Sequence, residues 1–200
     1  MTSAVDQVAW DKRYRQTERV WGSAPNRFVA EELAERAPGQ ALDLACGEGR
    51  NALWLAERGW RVTAVDFSPA ALAKGRAAAE AAGLELTWTA ADLTGYVPEP
   101  DAYDLVLVAY LHLPEPALRT VLGRAAAALA PGGTLLVVGH DATNPAQGAG
   151  GPQNPAILYT PETVTAALGP LRVDRAERVR RPVDGAARPA IDTLVIATRA

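Results

Sequence analysis

An α/β protein built on a doubly wound, mostly parallel sheet is what the sequence predicts, on three observations. Short apolar runs bounded by turn residues recur along the chain, as in ALDLAC, WRVTAVD, YDLVLVAYL and TLLVVGH, the pattern of strands buried on both faces. Alanine-rich segments of helical length separate them, so the parallel strands must be joined by right-handed crossovers. Between the first strand and the first of these helices lies the glycine turn CGEG, and the next strand closes on Asp66.

That strand, turn, helix and strand, residues 41–68, organise the rest. Gly47 and Gly49 let the backbone bend sharply and approach a ligand, NALWLAER continues as a helix, and Gly59 closes it. Asp66 then stands at the carboxyl end of a strand, where open α/β sheets bind their ligands. Gly47, Gly49 and Ala52 also fit the G-x-G-x-x-G/A dinucleotide fingerprint, with Asp66 about twenty residues on. A dinucleotide would set its pyrophosphate over this turn. The turn carries Glu48, with Asp43 just upstream, and two carboxylates repel an anionic bridge. They suit a ligand that is cationic there, such as S-adenosylmethionine with its ammonium and sulfonium. The Asp66 carboxylate can accept both ribose hydroxyls. LELTWTAADL then reads as a third strand ending at Asp92, which can accept from an adenine amino group.

The segments DLACGEG, AVDFS and AADL resemble the cofactor motifs of class I S-adenosylmethionine-dependent methyltransferases. Within them, WDKRY, VWG, PNRF and CGEGRNA resemble the small bacterial type related to tellurite-resistance and thiopurine methyltransferases. The resemblance spans nearly the whole chain. It implies a Rossmann-like sheet of seven strands with an antiparallel last strand, helices on both faces, and S-adenosylhomocysteine as product. It places the cofactor against Trp21, Asp43, Gly47, Gly49, Asn51, Asp66, Phe67, Asp92, Leu93 and Ala109. Asn51 departs from the commonest pattern, which has a third glycine there, a change shared with the GRNA subgroup.

The chain has 200 residues, 48% of them apolar and 22% charged, with a formal net charge of −3. One domain spanning 1–200 follows from that length, with 1–39 as a helical lid. The charge gives no electrostatic reason to bind nucleic acid or an anionic membrane, and no apolar stretch reaches spanning length. The N-terminus lacks the pattern of a secretory leader and the lone Cys46 has no partner for a disulfide, so a cytoplasmic setting is expected. Oligomeric state is not legible.

Taken in order, Ser3 and Asp6 form a capping box for a helix through Arg15 that carries Val5, Trp10 and Tyr14. Trp21 and Gly22 break the pattern, and a second helix runs from Asn26 to before Pro38. Trp21 and Tyr14 either face the cofactor, since aromatic faces attract cations, or pack the lid against the sheet. Ser68 and Pro69 start a helix to Ala82 that Gly83 closes. YDLVLVAYL is the fourth strand, a helix follows from 114, and TLLVVGH is the fifth strand. Residues 141–159 lack periodicity and read as a lid or a disordered loop. A helix at TPETVTAALG and two strands, LRVDRAERVRR and AIDTLVIATRA, complete the chain. The arginines from Arg172 to Arg181 alternate with acids and read as a solvated strand rather than a phosphate site.

The chemistry expected is in-line methyl transfer to a small-molecule acceptor. The alternatives are a catalytically silent protein that binds S-adenosylmethionine or its product, and a reductase using NAD(P). Any general base should come from the carboxyl ends of strands four and five, which offer Tyr110, His112, His140 and Asp141. His112 is preferred as base because imidazole titrates near neutrality, and Tyr110 as lining of the acceptor site. The competing reading makes His112 a loop residue serving backbone groups. Two histidines 28 positions apart have no ligand spacing, so no metal is expected. Cys46 needs only to be small and apolar, and Trp54, Trp60 and Trp88 read as packing aromatics.

Overall fold

Apolar runs that tolerate burial on both faces become the centre of one sheet, seen in a computed structural model that describes residues 7–200. The capping box at Ser3 and Asp6, with Val5, lies outside the described residues. The strands are β1 (Gln40–Leu44), β2 (Arg61–Asp66), β3 (Thr87–Ala90), β4 (Tyr103–Ala109), β5 (Leu129–His140), β6 (Arg172–Arg181) and β7 (Ala190–Thr198). Their order is β3-β2-β1-β4-β5-β7-β6. Only β7 runs against the others, pairing antiparallel with both β5 and β6. The sequence order reverses between β1 and β4, a topological switch point whose carboxyl-end crevice is where such sheets bind ligands.

Alternate residues of each central strand enter different cores. Leu105 and Leu107 of β4 pack with Val62, Ala64, Leu136 and Val138, while Val106 and Val108 pack with Leu42, Leu44, Leu135 and Val137. This period of two on a sheet covered on both sides explains why the strands read as unbroken apolar runs. Helices α2 (Arg27–Leu33), α3 (Arg50–Ala56) and α4 (Pro69–Ala82) cover the first face with Phe28, Leu55 and Leu72, and α5 (Glu115–Ala128) covers the second with Leu118, Val121 and Leu122. At roughly 1.5–3 kcal/mol for each buried Leu or Val, this two-sided packing dominates the sheet's stability.

Capping follows the sequence closely. Ser68 accepts from the Ala71 N–H at 3.2 Å, Asn26 caps α2 through Phe28 and Val29, and Gly83 ends α4 with φ of 67°. Three boundaries differ. β3 has only four residues, so Asp92 lies two residues past its end. β5 begins at Leu129, before Pro131 and Gly132, because the chain leaves α5 already extended; the pairing with β4 slips between Tyr103 and Leu105 around this segment. Residues 141–159 form an ordered cover, with helix α6 (Asn144–Gln147), a 3-10 turn at Pro155–Ile157 and a bridge between Asp141 and Tyr159. Helix α7 (Pro161–Thr165) follows, and a last helix at the amino end of the described chain, α1 (Gln7–Gln16), lies against α4.

Candidate active site

The turn after β1 is held by Asp66. Its two oxygens accept separate backbone N–H groups, Gly47 at 2.8 Å and Ser68 at 2.9 Å, tying the glycine turn to the start of α4. Burial raises the Asp66 carboxyl above its ordinary value, against those N–H donors. Gly47 (φ 56°) and Gly49 (φ 78°) have left-handed backbones, and a Cβ on Gly47 would sit 2.8 Å from the Tyr14 hydroxyl. Ala45 adopts φ of 62° in the same turn, a conformation that costs a non-glycine residue roughly 1–3 kcal/mol. Sequence pattern gave no warning of it.

Beneath the turn, Asp43 is fully buried and neither of its oxygens has a hydrogen-bond partner. Burial, and then the neighbouring Asp66, push its carboxyl up to about 8, with the Arg50 charge opposing. A buried carboxylate without partners is costly, and a cation nearby would relieve it.

Glu48 corrects the charge argument drawn from sequence. It does not face the ligand side of the turn. Its Oε1 meets Lys74 Nζ at 3.1 Å and its Oε2 accepts from the Val20 N–H at 2.9 Å, so it fastens the segment after α1. Lys74 also donates to the Thr17 carbonyl. The acids left under the turn are Asp43 and Asp66.

Several contacts lay the amino-terminal segment over the turn. Gln7 donates to the Phe67 carbonyl at 2.6 Å, and Asp11 accepts from Ser68 Oγ at 2.6 Å and the Ala70 N–H at 3.1 Å, adding a carboxylate to the start of α4. Tyr14 is buried against Gly47, and Trp21 Nε1 donates to its hydroxyl at 3.4 Å. Trp21 is itself exposed, and the cation over its ring is the chain's own Arg13, 4.9 Å from the centroid. Asn51 has a structural role: its Oδ1 accepts from the Asn26 N–H at 2.8 Å, joining α3 to the cap of α2. That bond is a physical reason for an amide where other sequences have glycine. Trp54 and Trp60 are buried, and Trp88 packs against Gly49 and Gly75.

Asp92 is exposed, and its Oδ1 accepts from the Thr94 N–H at 2.9 Å and hydroxyl at 2.8 Å, shaping the loop after β3. Leu93 and Ala109 are buried, Phe67 half-buried.

A second cluster occupies the ends of β4, β5 and β7. Tyr110 has φ of 57°, a strained value at the carboxyl end of β4. Its hydroxyl donates to Asp192 at 2.8 Å and accepts from Arg181 at 3.0 Å and Asn26 at 3.3 Å. Burial first, and then Asp192, raise the Tyr110 hydroxyl so that it stays protonated. Arg181 Nε also reaches Asp192 at 2.8 Å. The rings of His112 and His140 stack 5.5 Å apart, and His112 stacks in turn on the fully buried Tyr159 at 5.6 Å. Among the described residues no group of three or more metal-ligating side chains converges.

The reason given for His112 as base needs correction. Burial, and then the adjacent His140, hold its pKa down to about 4, so it is neutral where free imidazole would titrate. Its Nδ1 lies 3.3 Å from the Ile157 carbonyl, which assigns the proton to Nδ1 and leaves the buried Nε2 as an unpartnered acceptor. Asp141 is fully engaged by Thr143, Thr193 and Arg178. Arg181 is thus half-buried on Asp192 rather than solvated as the sequence suggested, while Arg178 stays exposed with its Nε on Asp141, and Arg172, Arg175 and Arg180 are outward or paired on the surface. Asp192 was not foreseen. It sits within the apolar run AIDTLVIA, where a lone acid in a buried strand was the available signal.

Gly139 forms the floor of this cluster. A Cβ there would lie 1.9 Å from the Tyr159 hydroxyl and 3.4 Å from His112 Cε1. Gly139→Ala is therefore expected to displace Tyr159 and cost about 1–3 kcal/mol of stability by overpacking, with cofactor affinity unchanged. Thermal denaturation and a cofactor titration check both parts.

The strand order, the switch point and the buried acids at its carboxyl edge define a Rossmann-like domain. Residues 41–133 match the family model described as a methyltransferase domain. It is 43% identical over 116 residues to a demethylmenaquinone methyltransferase of Thermus thermophilus, a match covering 56% of this chain and 52% of that protein. The chain thus spans about half the length of that curated relative. In fold it is similar to TehB from Haemophilus influenzae, with a TM-score of 0.74 at 16% identity, covering 96% of this chain and 67% of that one. It is also similar in fold to the 1,6-didemethyltoxoflavin-N1-methyltransferase of Burkholderia thailandensis, solved with 1,6-didemethyltoxoflavin and S-adenosylhomocysteine bound, with a TM-score of 0.72 at 22% identity, covering 97% of this chain and 87% of that one.

Proposed function

We propose that this domain transfers a methyl group from S-adenosylmethionine to a small-molecule acceptor. The observation that carries the reading is the buried, unpartnered Asp43 carboxyl beside Asp66 under the glycine turn, a donor set that fits a cation. When bound, the cofactor supplies an electrophilic methyl group on a sulfonium. Asp66 would take the ribose hydroxyls, Asp92 the adenine amino group, and Asp43 would offset the positive charge. Gly47, Gly49 and Asn51 would shape the turn around it, with Phe67, Leu93 and Ala109 as apolar flanks and Trp21 in the cover. Of the lid expected over 1–39, the described part from Gln7 onward would cover the site, since Gln7 and Asp11 bond Phe67, Ser68 and Ala70 and Tyr14 packs on Gly47.

The acceptor would lie against Tyr110 and His112. His112 Nε2 offers it a neutral hydrogen-bond acceptor, and Tyr110 is fixed by Asp192. The protein's contribution is alignment and exclusion of water. Small molecules are favoured because the net charge of −3 offers nothing to a nucleic acid backbone, and two similar proteins are named for small substrates. No helix among the described residues is long and apolar enough to cross a membrane.

One calorimetric comparison tests this reading. S-adenosylmethionine should bind and NADH should not; preference for NADH would point to the reductase and end the proposal. Transfer of labelled methyl to a panel of phenols, thiols and heteroaromatic amines separates an enzyme from a silent binder.

A further inference from the structure

We propose that His140 is the proton acceptor of the transfer reaction and that Asp192 is its positioning residue, an inference that rests on the methyl-transfer reading above. His140 Nδ1 lies 3.1 Å from Asp192 Oδ1, and neither of these buried atoms has any other partner. Asp192 is fully buried and its other oxygen is held from two sides, by Tyr110 and by Arg181, each at 2.8 Å. The carboxylate is therefore locked, with one oxygen free beside the imidazole.

This is the arrangement of a base oriented by a third group: a carboxylate against Nδ1 fixes that nitrogen as N–H and leaves Nε2 with the lone pair. His112 cannot fill the part as well, because it is stacked between His140 and Tyr159 and its Nδ1 faces the neutral Ile157 carbonyl rather than a carboxylate that would stabilise an imidazolium. The other groups facing His140 are accounted for. Tyr110 lies 5.1 Å away and keeps its proton, Arg181 is paired to Asp192, and Asp141 is consumed by Thr143, Thr193 and Arg178. On the remaining side is the backbone of Gly151, where a Cβ would lie 2.7 Å from Nε2. The cover formed by residues 141–159 thus borders the atom that takes the proton.

The step balances. The acceptor's O–H or N–H proton passes to His140 Nε2 as its electron pair forms the bond to the methyl carbon. The carbon–sulfur bond breaks with its pair remaining on sulfur, and the imidazolium later loses its proton to water. Arg181 and Asp192 offset each other throughout, so the imidazolium is stabilised by the Asp192 oxygen that Arg181 does not use.

The tautomer of His140 is measurable without any acceptor. Long-range nitrogen-15 correlation on the full chain should show His140 protonated at Nδ1 and bare at Nε2 near neutral pH. Asp192→Asn should abolish that bias, lower kcat at least tenfold with KM for S-adenosylmethionine within twofold, and shift the acidic limb of the pH profile. His140→Gln should lose turnover but keep cofactor binding. A His140 protonated at Nε2, or kcat unchanged in His140→Gln, overturns the inference. Should Asp192→Asn fail to fold, His140→Gln and the wild-type tautomer decide alone. Failure of the wild-type chain to bind S-adenosylmethionine would instead refute the functional reading, and the two results are distinguishable.

Discussion

Asp66→Asn should weaken S-adenosylmethionine binding about 100-fold, which corresponds to roughly 2.8 kcal/mol, and lower the melting temperature as well. The two effects have different origins. In the folded chain both carboxylate oxygens accept backbone N–H groups, from Gly47 and from Ser68. An amide can serve only one of them, and its NH2 then faces the other donor. Losing a hydrogen bond to a charged acceptor and leaving a buried N–H unmet costs about 1.5–3 kcal/mol. At roughly 2–4 °C per kcal/mol for a chain of this size, the midpoint should fall by about 3–12 °C. The affinity loss comes from the ribose contact and from a loosened glycine turn. Asp92→Asn supplies the comparison: that side chain is exposed and shapes only its own loop through Thr94, so about a fivefold loss of affinity and little change in melting are expected. Calorimetric titration and thermal denaturation of the three proteins check this. Equal affinity in all three would remove Asp66 from the cofactor site.

The contrast between these acids shows what was readable in the sequence. Asp66 and Asp92 were both placed at strand ends, and for Asp66 the placement held, because a strand, a glycine turn and a capped helix leave few ways to connect; its bonds to the Gly47 and Ser68 N–H groups were not foreseen. β3 stopped early, and Asp92 fell into a loop where side-chain direction follows local turn bonds rather than strand pleat. The central strands and their helices were legible because two-sided burial writes an unbroken apolar run. The acceptor side was only half legible. Tyr110, His112 and His140 were flagged by position, but Asp192 and Arg181 come from strands more than 40 residues further along the chain than His140 or Tyr110. Which distant strand lies beside β5 depends on topology, and neither charge pattern nor period specifies that β7 inserts between β5 and β6. Glu48 failed for the same reason. Its partners, Lys74 and the Val20 N–H, come from α4 and from the segment after α1, and a local reading assigned its charge to the ligand.

Affinity for S-adenosylmethionine should rise with pH up to about 8 and then level off, because of Asp43. Its carboxyl is pushed up to about 8 by burial first and by Asp66 second, so without a ligand it is protonated at neutral pH. In the unliganded chain a raised carboxyl pKa gives stability that is full below the ordinary value of 3.8 and is lost as pH rises toward 8. His112 works in the opposite direction: its pKa, lowered from 6.5 to about 4, gives stability that is present above 6.5 and lost as pH falls through that interval. A cation bound beside Asp43 favours the ionised form, so binding below pH 8 must expel a proton. The affinity should then climb by up to about tenfold for each pH unit between 6 and 8. Titrations at pH 7 in buffers of different ionisation heat should report close to one proton released, and Asp43→Asn should abolish both the release and the slope. A diphosphate ligand would reverse the sign, since an anion binds better when Asp43 is neutral and its affinity would grow as pH falls. The direction of this slope therefore separates the sulfonium cofactor from a dinucleotide using charge alone, independently of any assay for the acceptor.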